Sequence, residues 1–261
     1  FVYGNFSLLI GAVLVILGIT FKLAAFPFQM WVPDVYQGAP TPITAYLSVV
    51  SKAAGFAVLL RIIYGALGVS EFAYILGNLV AIIAVFSMTI GNVMALRQND
   101  IKRLLAYSTI AHAGYLLVGV ASLSFSGKGG YFNAGPQSVL YYLAGYAFTN
   151  LTAFLVIIGV SKSIGTYQLS GFVGLWKKSP LISFILAISI ISLLGIPPTV
   201  GFMAKVFIFS AAVNTDLTWL AIVAVINSVI SAYYYLRILK ISFVETDDNG
   251  SEISVNKIIT G

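Results

Sequence analysis

Four side chains in this sequence have the type and setting for proton chemistry: Lys22, Lys52, Lys205 and His112. Each lysine has apolar sequence on both sides: Ile19-Thr20-Phe21-Lys22-Leu23-Ala24, Val49-Val50-Ser51-Lys52-Ala53-Ala54, and Phe202-Met203-Ala204-Lys205-Val206-Phe207. A charged lysine at the centre of a bilayer costs about 3 kcal/mol on insertion scales. Burial penalises the ammonium form, so such a lysine can take up and release a proton near neutral pH, whereas an arginine in the same place stays charged. His112 lies in Thr109-Ile110-Ala111-His112-Ala113-Gly114-Tyr115, and imidazole titrates near neutrality unaided, which suits it to pass protons between lysines. Plainer readings stand beside these. A long lysine stem can carry its ammonium to the headgroups, and a histidine can simply pack with its hydrogen bonds satisfied. Lys52, in the middle of its apolar run, fits the first of these least.

The elements that must position these residues are membrane helices. Of the 261 residues 59% are hydrophobic and 8% charged, with a mean hydropathy of +0.99. A soluble domain carries about 25% charged residues, so this surface has to face lipid. The apolar runs are continuous rather than alternating, which argues against a β-barrel. The expected fold is all-α: a polytopic membrane bundle of about seven spans. They lie near residues 6–26, 43–64, 72–96, 101–123, 137–160, 180–211 and 217–243. Residues 1–244 then form the transmembrane domain, and 245–261 a polar loop or the start of a following helix. The chain opens on Phe1 within what reads as a continuing sequence, so a fragment of a longer protein is expected.

Two helices should be broken. The first meets Pro27 and continues through Trp31, Pro33 and Asp34 to Pro40 and Pro42; the sixth meets Pro197-Pro198. Proline removes a donor and clashes with the preceding turn, freeing carbonyls. In a membrane that is tolerated only inside protein or along a wet cavity, and paired interrupted helices point to a transport site. Basic residues gather at alternate ends (Arg97, Lys102 and Arg103; Lys162, Lys177 and Lys178; Arg237 and Lys240), which places those ends in the cytoplasm. Lys102 and Arg103 read as surface markers rather than pathway groups. Asp34 suits either an ion pair or a cap. The run Tyr233-Tyr234-Tyr235 reads as an interfacial aromatic belt. Tyr107, Ser108, Thr109, Tyr141, Tyr142, Tyr146, Thr149 and Asn150 set hydroxyls and an amide within two helices, to organise water or to bond helix to helix.

With no cysteine and one histidine, thiolate zinc sites, Cys-ligated iron–sulfur clusters and bis-His haem are excluded. No catalytic triad is present, and Gly127-Lys128-Gly129-Gly130 lacks phosphate-loop spacing. The net charge of +6 is explained by helix ends rather than by nucleic acid.

Several long stretches resemble one family. They are Phe21-Lys22-Leu23-Ala24-Ala25-Phe26-Pro27-Phe28, Trp31-Val32-Pro33-Asp34-Val35-Tyr36-Gln37-Gly38-Ala39-Pro40-Thr41-Pro42, Ser51-Lys52-Ala53-Ala54, Asn99-Asp100-Ile101-Lys102-Arg103-Leu104-Leu105-Ala106-Tyr107-Ser108, Ala111-His112-Ala113-Gly114-Tyr115, Gly195-Ile196-Pro197-Pro198-Thr199-Val200-Gly201-Phe202, and Tyr233-Tyr234-Tyr235-Leu236-Arg237. They look like the proton-pumping, antiporter-like membrane subunits of complex I, and the Pro-Asp-Val-Tyr-Gln-Gly form is similar to the N type among them. The resemblance implies part of an inverted-repeat antiporter-like fold in a longer parent, in a bacterial inner membrane. It implies proton transport through Lys22, Lys52, His112 and Lys205, with no redox centre in this chain, and flavin and iron–sulfur centres in partner subunits. Other antiporter-like subunits would be its neighbours. The glutamate that the family pairs with the lysine matching Lys22 would lie upstream of Phe1. Two alternatives share much of the pattern: a multisubunit (Mrp-type) or hydrogenase-linked cation/proton antiporter subunit, and a non-conducting scaffold with buried ion pairs. Direct quinone binding is neither supported nor excluded.

Overall fold

The computed structural model describes residues 2–63, 65, 73–124 and 134–245. The tail from residue 246, and Glu71 and Lys128 in the connections, lie outside the described residues. The helices are α1 (Val2–Leu23), α2 (Trp31–Gly38), α3 (Thr41–Tyr46), α4 (Lys52–Ile62), α5 (Ala73–Ala95), α6 (Ile101–Ser124), α7 (Ala134–Ile164), α8 (Leu175–Lys178), α9 (Pro180–Leu194), α10 (Val200–Val213) and α11 (Thr218–Phe243). A π-helical turn, Leu47–Ser51, joins α3 to α4, and a 3-10 turn, Leu169–Phe172, precedes α8. Among the described residues, six apolar helical stretches are long enough to cross a bilayer, and the shorter pair α9 and α10 supplies the further, broken crossing.

Both expected breaks are present. α1 stops at Leu23, where Ala24 takes a positive φ of 59°, and the chain passes Pro27 before α2 begins. α9 stops at Leu194, capped by Gly195 in the left-handed conformation (φ 86°), and Pro197-Pro198 separate it from α10. A left-handed C-cap favours glycine because it has no Cβ to clash. Thr199 restarts the chain: its hydroxyl accepts from the Phe202 amide at the N-terminus of α10. A π turn within the expected second span was not anticipated. The π turn leads directly into Lys52, and such turns recur at functional sites in other helices.

α6 is the axis of the bundle, its whole apolar length from Ile101 to Ser122 being buried. It packs tightest on α5. A Cβ at Gly91 would sit 2.6 Å from the Ala111 nitrogen, and one at Gly114 2.5 Å from the Met88 side chain, so small residues set this close approach. α1 and α11 expose large apolar faces, as lipid-facing or protein-facing helices in a membrane must.

The basic connections converge at one end. The Ile101 amide donates to Tyr167 O and the Leu169 amide to Asn99 O. Arg237 donates to Gln98 O and to Asn99 Oδ1, at 3.1 and 2.7 Å. Arg103 pairs with Asp34 at 3.0 Å, the ion-pair option for that carboxylate. Charge asymmetry alone had placed these ends together.

Candidate functional site

The site grows out of the two breaks. A helix that stops leaves its last carbonyls without partners, at the negative end of its dipole. At the first break Lys52 Nζ donates to Leu23 O at 3.1 Å and to Thr109 O at 2.6 Å. At the second, Lys205 Nζ donates to Leu194 O at 2.6 Å and to Ser228 Oγ at 2.8 Å, and lies 5.1 Å from the centre of the Tyr115 ring. Both ammoniums are buried, with 2% and 5% of their residues' surface exposed. Neither snorkels. Among the described residues neither has a carboxylate partner; carbonyl dipoles, a hydroxyl and a ring face receive them instead.

His112 lies between them on α6. Its Nδ1 is 2.7 Å from Tyr142 Oη and its Nε2 is 3.0 Å from Tyr235 Oη. Tyr235 continues to Ser108 Oγ at 2.5 Å. The Tyr146 ring lies tilted beside the imidazole with centroids 5.0 Å apart, and its hydroxyl bonds Thr109 Oγ1 at 3.0 Å. Thr109 thus joins the two parts, its carbonyl holding Lys52 and its hydroxyl holding Tyr146. A cavity of about 10 Å³, near the size a single water needs, separates His112, Tyr142 and Thr149 from Ser192 and Gly201 beside the second break.

The structure therefore brings Lys52, His112 and Lys205 into one buried polar assembly. Lys22 stands apart. It precedes Leu23, whose carbonyl Lys52 holds, but its own side chain is exposed on α1. Pro27, Pro197 and Pro198 all sit where the helices are interrupted.

Two expectations are corrected. Lys102 is not a surface marker. It is buried, with its ammonium on Gln37 O and Ala39 O at 3.0 and 2.6 Å, so a third lysine holds the carbonyl end of a short helix, here α2. The same ammonium lies over the Tyr167 ring, 4.5 Å from its centre. In the connection after α7, a bond to the Thr41 hydroxyl, with help from Lys102 nearby, holds the Tyr167 phenol below its ordinary pKa. The tyrosine run is no interfacial belt either: Tyr234 and Tyr235 are buried and hydrogen-bonded, and Tyr233 alone of the three faces outward.

Ser108, Thr109, Tyr142 and Tyr146, marked in the sequence as hydroxyls that could bond helix to helix, do so around His112; Ser228, an ordinary serine singly, escaped sequence reading. The spacing i, i+4, i+7 of Ser108, His112 and Tyr115 places them on one face of α6, and Tyr142 and Tyr146 share a face of α7. That pattern was the available signal.

The transmembrane family described as NADH:quinone oxidoreductase/Mrp antiporter matches residues 1–231. The chain belongs to that family. Among relatives of this family, NADH-quinone oxidoreductase subunit N of Dehalococcoides mccartyi is 47% identical over 241 residues, covering 90% of this chain and 48% of the relative. Respiratory complex I of Thermus thermophilus with bound aureothin contains a chain 32% identical, with TM-score 0.73 over 93% of this chain and 52% of that one. The Mrp complex of a Dietzia species contains one 25% identical, with TM-score 0.82 over 95% and 45%. This chain spans about half the length of the relatives it matches. The likeness read in the sequence to the N type of the family is thereby borne out, as is a multi-pass helical inner-membrane protein.

Proposed function

We propose that this chain is the lysine-bearing part of a proton-translocating membrane subunit of NADH:quinone oxidoreductase. The observation that carries the reading is the pair of buried ammoniums, each seated on the carbonyl end of a broken helix, with the imidazole of His112 and its tyrosines between them. Such a seat favours the charged lysine through the helix dipole, while burial opposes it. A change in field at either seat then moves a proton on or off. A change arriving from neighbouring subunits acts first at Lys22, at the outer edge of the first break. Lys52 and the Thr109–Tyr146 pair pass the proton to His112, and the cavity beside Ser192 leads it to Lys205.

No electron carrier is needed in this chain for that role. Among the described residues no cluster of His, Cys, Asp or Glu is arranged for a metal ion, and flavin and iron–sulfur centres belong, on this reading, to partner subunits of the parent enzyme. Other antiporter-like membrane subunits and lipid are its neighbours, and quinone reduction takes place elsewhere.

The test is NADH-driven proton uptake into proteoliposomes holding the complete oxidoreductase, comparing wild type with Lys22→Ala and Lys52→Met. Loss of pumping supports the relay. Wild-type pumping after Lys22, Lys52 and Lys205 are all replaced would leave the chain a scaffold. The Mrp-type likeness supports a second reading, cation/proton antiport without electron transfer. Co-purification with a flavin- and iron–sulfur-containing arm decides between the two.

A further inference from the structure

A second buried network, between α5, α6 and α11, takes no part in the relay. Asn92, fully buried on α5, uses both ends of its amide. Its Nδ2 donates to Tyr115 Oη at 3.2 Å, and to Asn227 O and Asn227 Oδ1 at 3.0 and 3.2 Å. Its Oδ1 accepts from Tyr234 Oη at 3.0 Å. Asn227 is braced in turn by Thr89 Oγ1 and Val223 O. Polar bonds between membrane helices commonly serve as glue, and glue alone would explain Asn92 and Asn227.

What glue does not explain is where Tyr115 stands. Its ring lies edge-to-face against His112, with centroids 5.8 Å apart, and the Lys205 ammonium lies over it at 5.1 Å. A ring face attracts a cation at that range but carries no proton. The one group of Tyr115 that can pass a proton is its hydroxyl, and Asn92 holds that hydroxyl in the second network. Carbon is thus presented to both His112 and Lys205. Among the described residues no direct hydrogen bond joins those two groups, and a ring in contact with both can bar the short way between them. A pump needs such a barrier, since a proton free to pass at any time dissipates the gradient.

We propose that Asn92, braced by Asn227, is a positioning residue that fixes the Tyr115 ring as a wedge between His112 and Lys205 and so blocks proton exchange outside the coupled cycle. This rests on the relay reading above. With Asn92 replaced by an isosteric apolar residue, Tyr115 loses a bond that holds its hydroxyl away from the relay. The ring then swings aside, and water can bridge the two groups.

The experiment uses the complete oxidoreductase in proteoliposomes: wild type, Asn92→Leu, Tyr115→Phe, the double variant and Lys52→Met. Passive proton leak is measured under an imposed potassium diffusion potential without NADH, and then NADH-driven uptake. Asn92→Leu raises the leak roughly tenfold, the factor for losing about one buried hydrogen bond that holds the closed position. Tyr115→Phe, which frees the ring from the same bond, raises it comparably by loosening the wedge, and the double variant leaks no more than either alone. NADH oxidation continues in all three, with fewer protons taken up per NADH. A wild-type leak in Asn92→Leu and Tyr115→Phe overturns the inference, and additive leaks in the double variant do so equally, because Asn92 would then not act through Tyr115. If Asn92→Leu does not assemble, Tyr115→Phe, which keeps the ring volume, decides by itself. Lys52→Met separates the two levels. Lost pumping there with no leak in the asparagine variant sinks the wedge alone, whereas wild-type pumping in Lys52→Met takes the relay down with it.

Discussion

The two broken helices reach the same end by different routes through the chain. At the break after α1 the ammonium arrives from a different span: Lys52 follows the π turn and crosses to a carbonyl 29 residues earlier. At the break after α9 it comes from the second half of the same crossing, Lys205 reaching back 11 residues to Leu194 O. The second seat is therefore local in its helix end, with a glycine cap, two prolines, a threonine cap and the lysine within one short stretch, and Ser228 of α11 and the Tyr115 ring of α6 reach it from elsewhere. The first is tertiary and depends on α1, α4 and α6 being packed correctly. The detached pieces differ as well. α2 is pinned at its C-terminal end by Lys102 and in its first turn by the Arg103–Asp34 pair, whereas α10 is held by its own N-cap and by α7, α6 and α11.

This contrast can be broken at several points. The largest effect is expected at the tertiary seat. Lys52→Met leaves Leu23 O and Thr109 O without their donor, and NADH-driven proton uptake in the full complex should fall to near background while the enzyme still assembles. Lys205→Arg tests the local seat more narrowly. It keeps the charge on Leu194 O but cannot release the proton, so uptake should be lost there too. Uptake near wild type would show that this lysine only anchors α9.

Lys102→Met is next in size. It removes the cation from the end of α2 but not from the relay, so uptake should fall only in part, by less than in Lys52→Met. Lys102→Arg should restore most of it, since charge and not proton release is what matters at that seat. The smallest effects concern the caps. Thr199→Ala should cost about 1 kcal/mol of stability, seen as a lower unfolding temperature, with uptake unchanged. Asp34→Asn should cost less than about 1 kcal/mol, because the Arg103–Asp34 pair is largely exposed. If Asp34→Asn instead matched Lys102→Met, the exposed pair would be the true anchor of α2.

Helix positions, the two breaks, the basic end and the candidacy of Lys52, His112 and Lys205 were all legible in the sequence. Each depends on a property of a short run: apolar length, a proline pair, or a lone cation in apolar surroundings. Lys102 was misread because its neighbours Arg97 and Arg103 mark a membrane boundary, and a run of charges does not show which member turns inward. Tyr234 and Tyr235 were misread because three consecutive tyrosines point in three directions around a helix, and only packing decides which two are inside. The π turn before Lys52 leaves no compositional trace.

By itself, then, the sequence determined that the chain crosses a bilayer several times, that two crossings are interrupted, and that titratable groups lie within them. Hydrophobicity and proline stereochemistry act over a few residues, so a linear reading captures them. Which carbonyl receives which ammonium was decided only by the tertiary structure, as was the exposure of the Lys22 side chain on α1 and the contact of the Tyr115 ring with both His112 and Lys205. These relations join residues far apart in the chain, and they are fixed by how closely α5, α6, α7 and α11 pack.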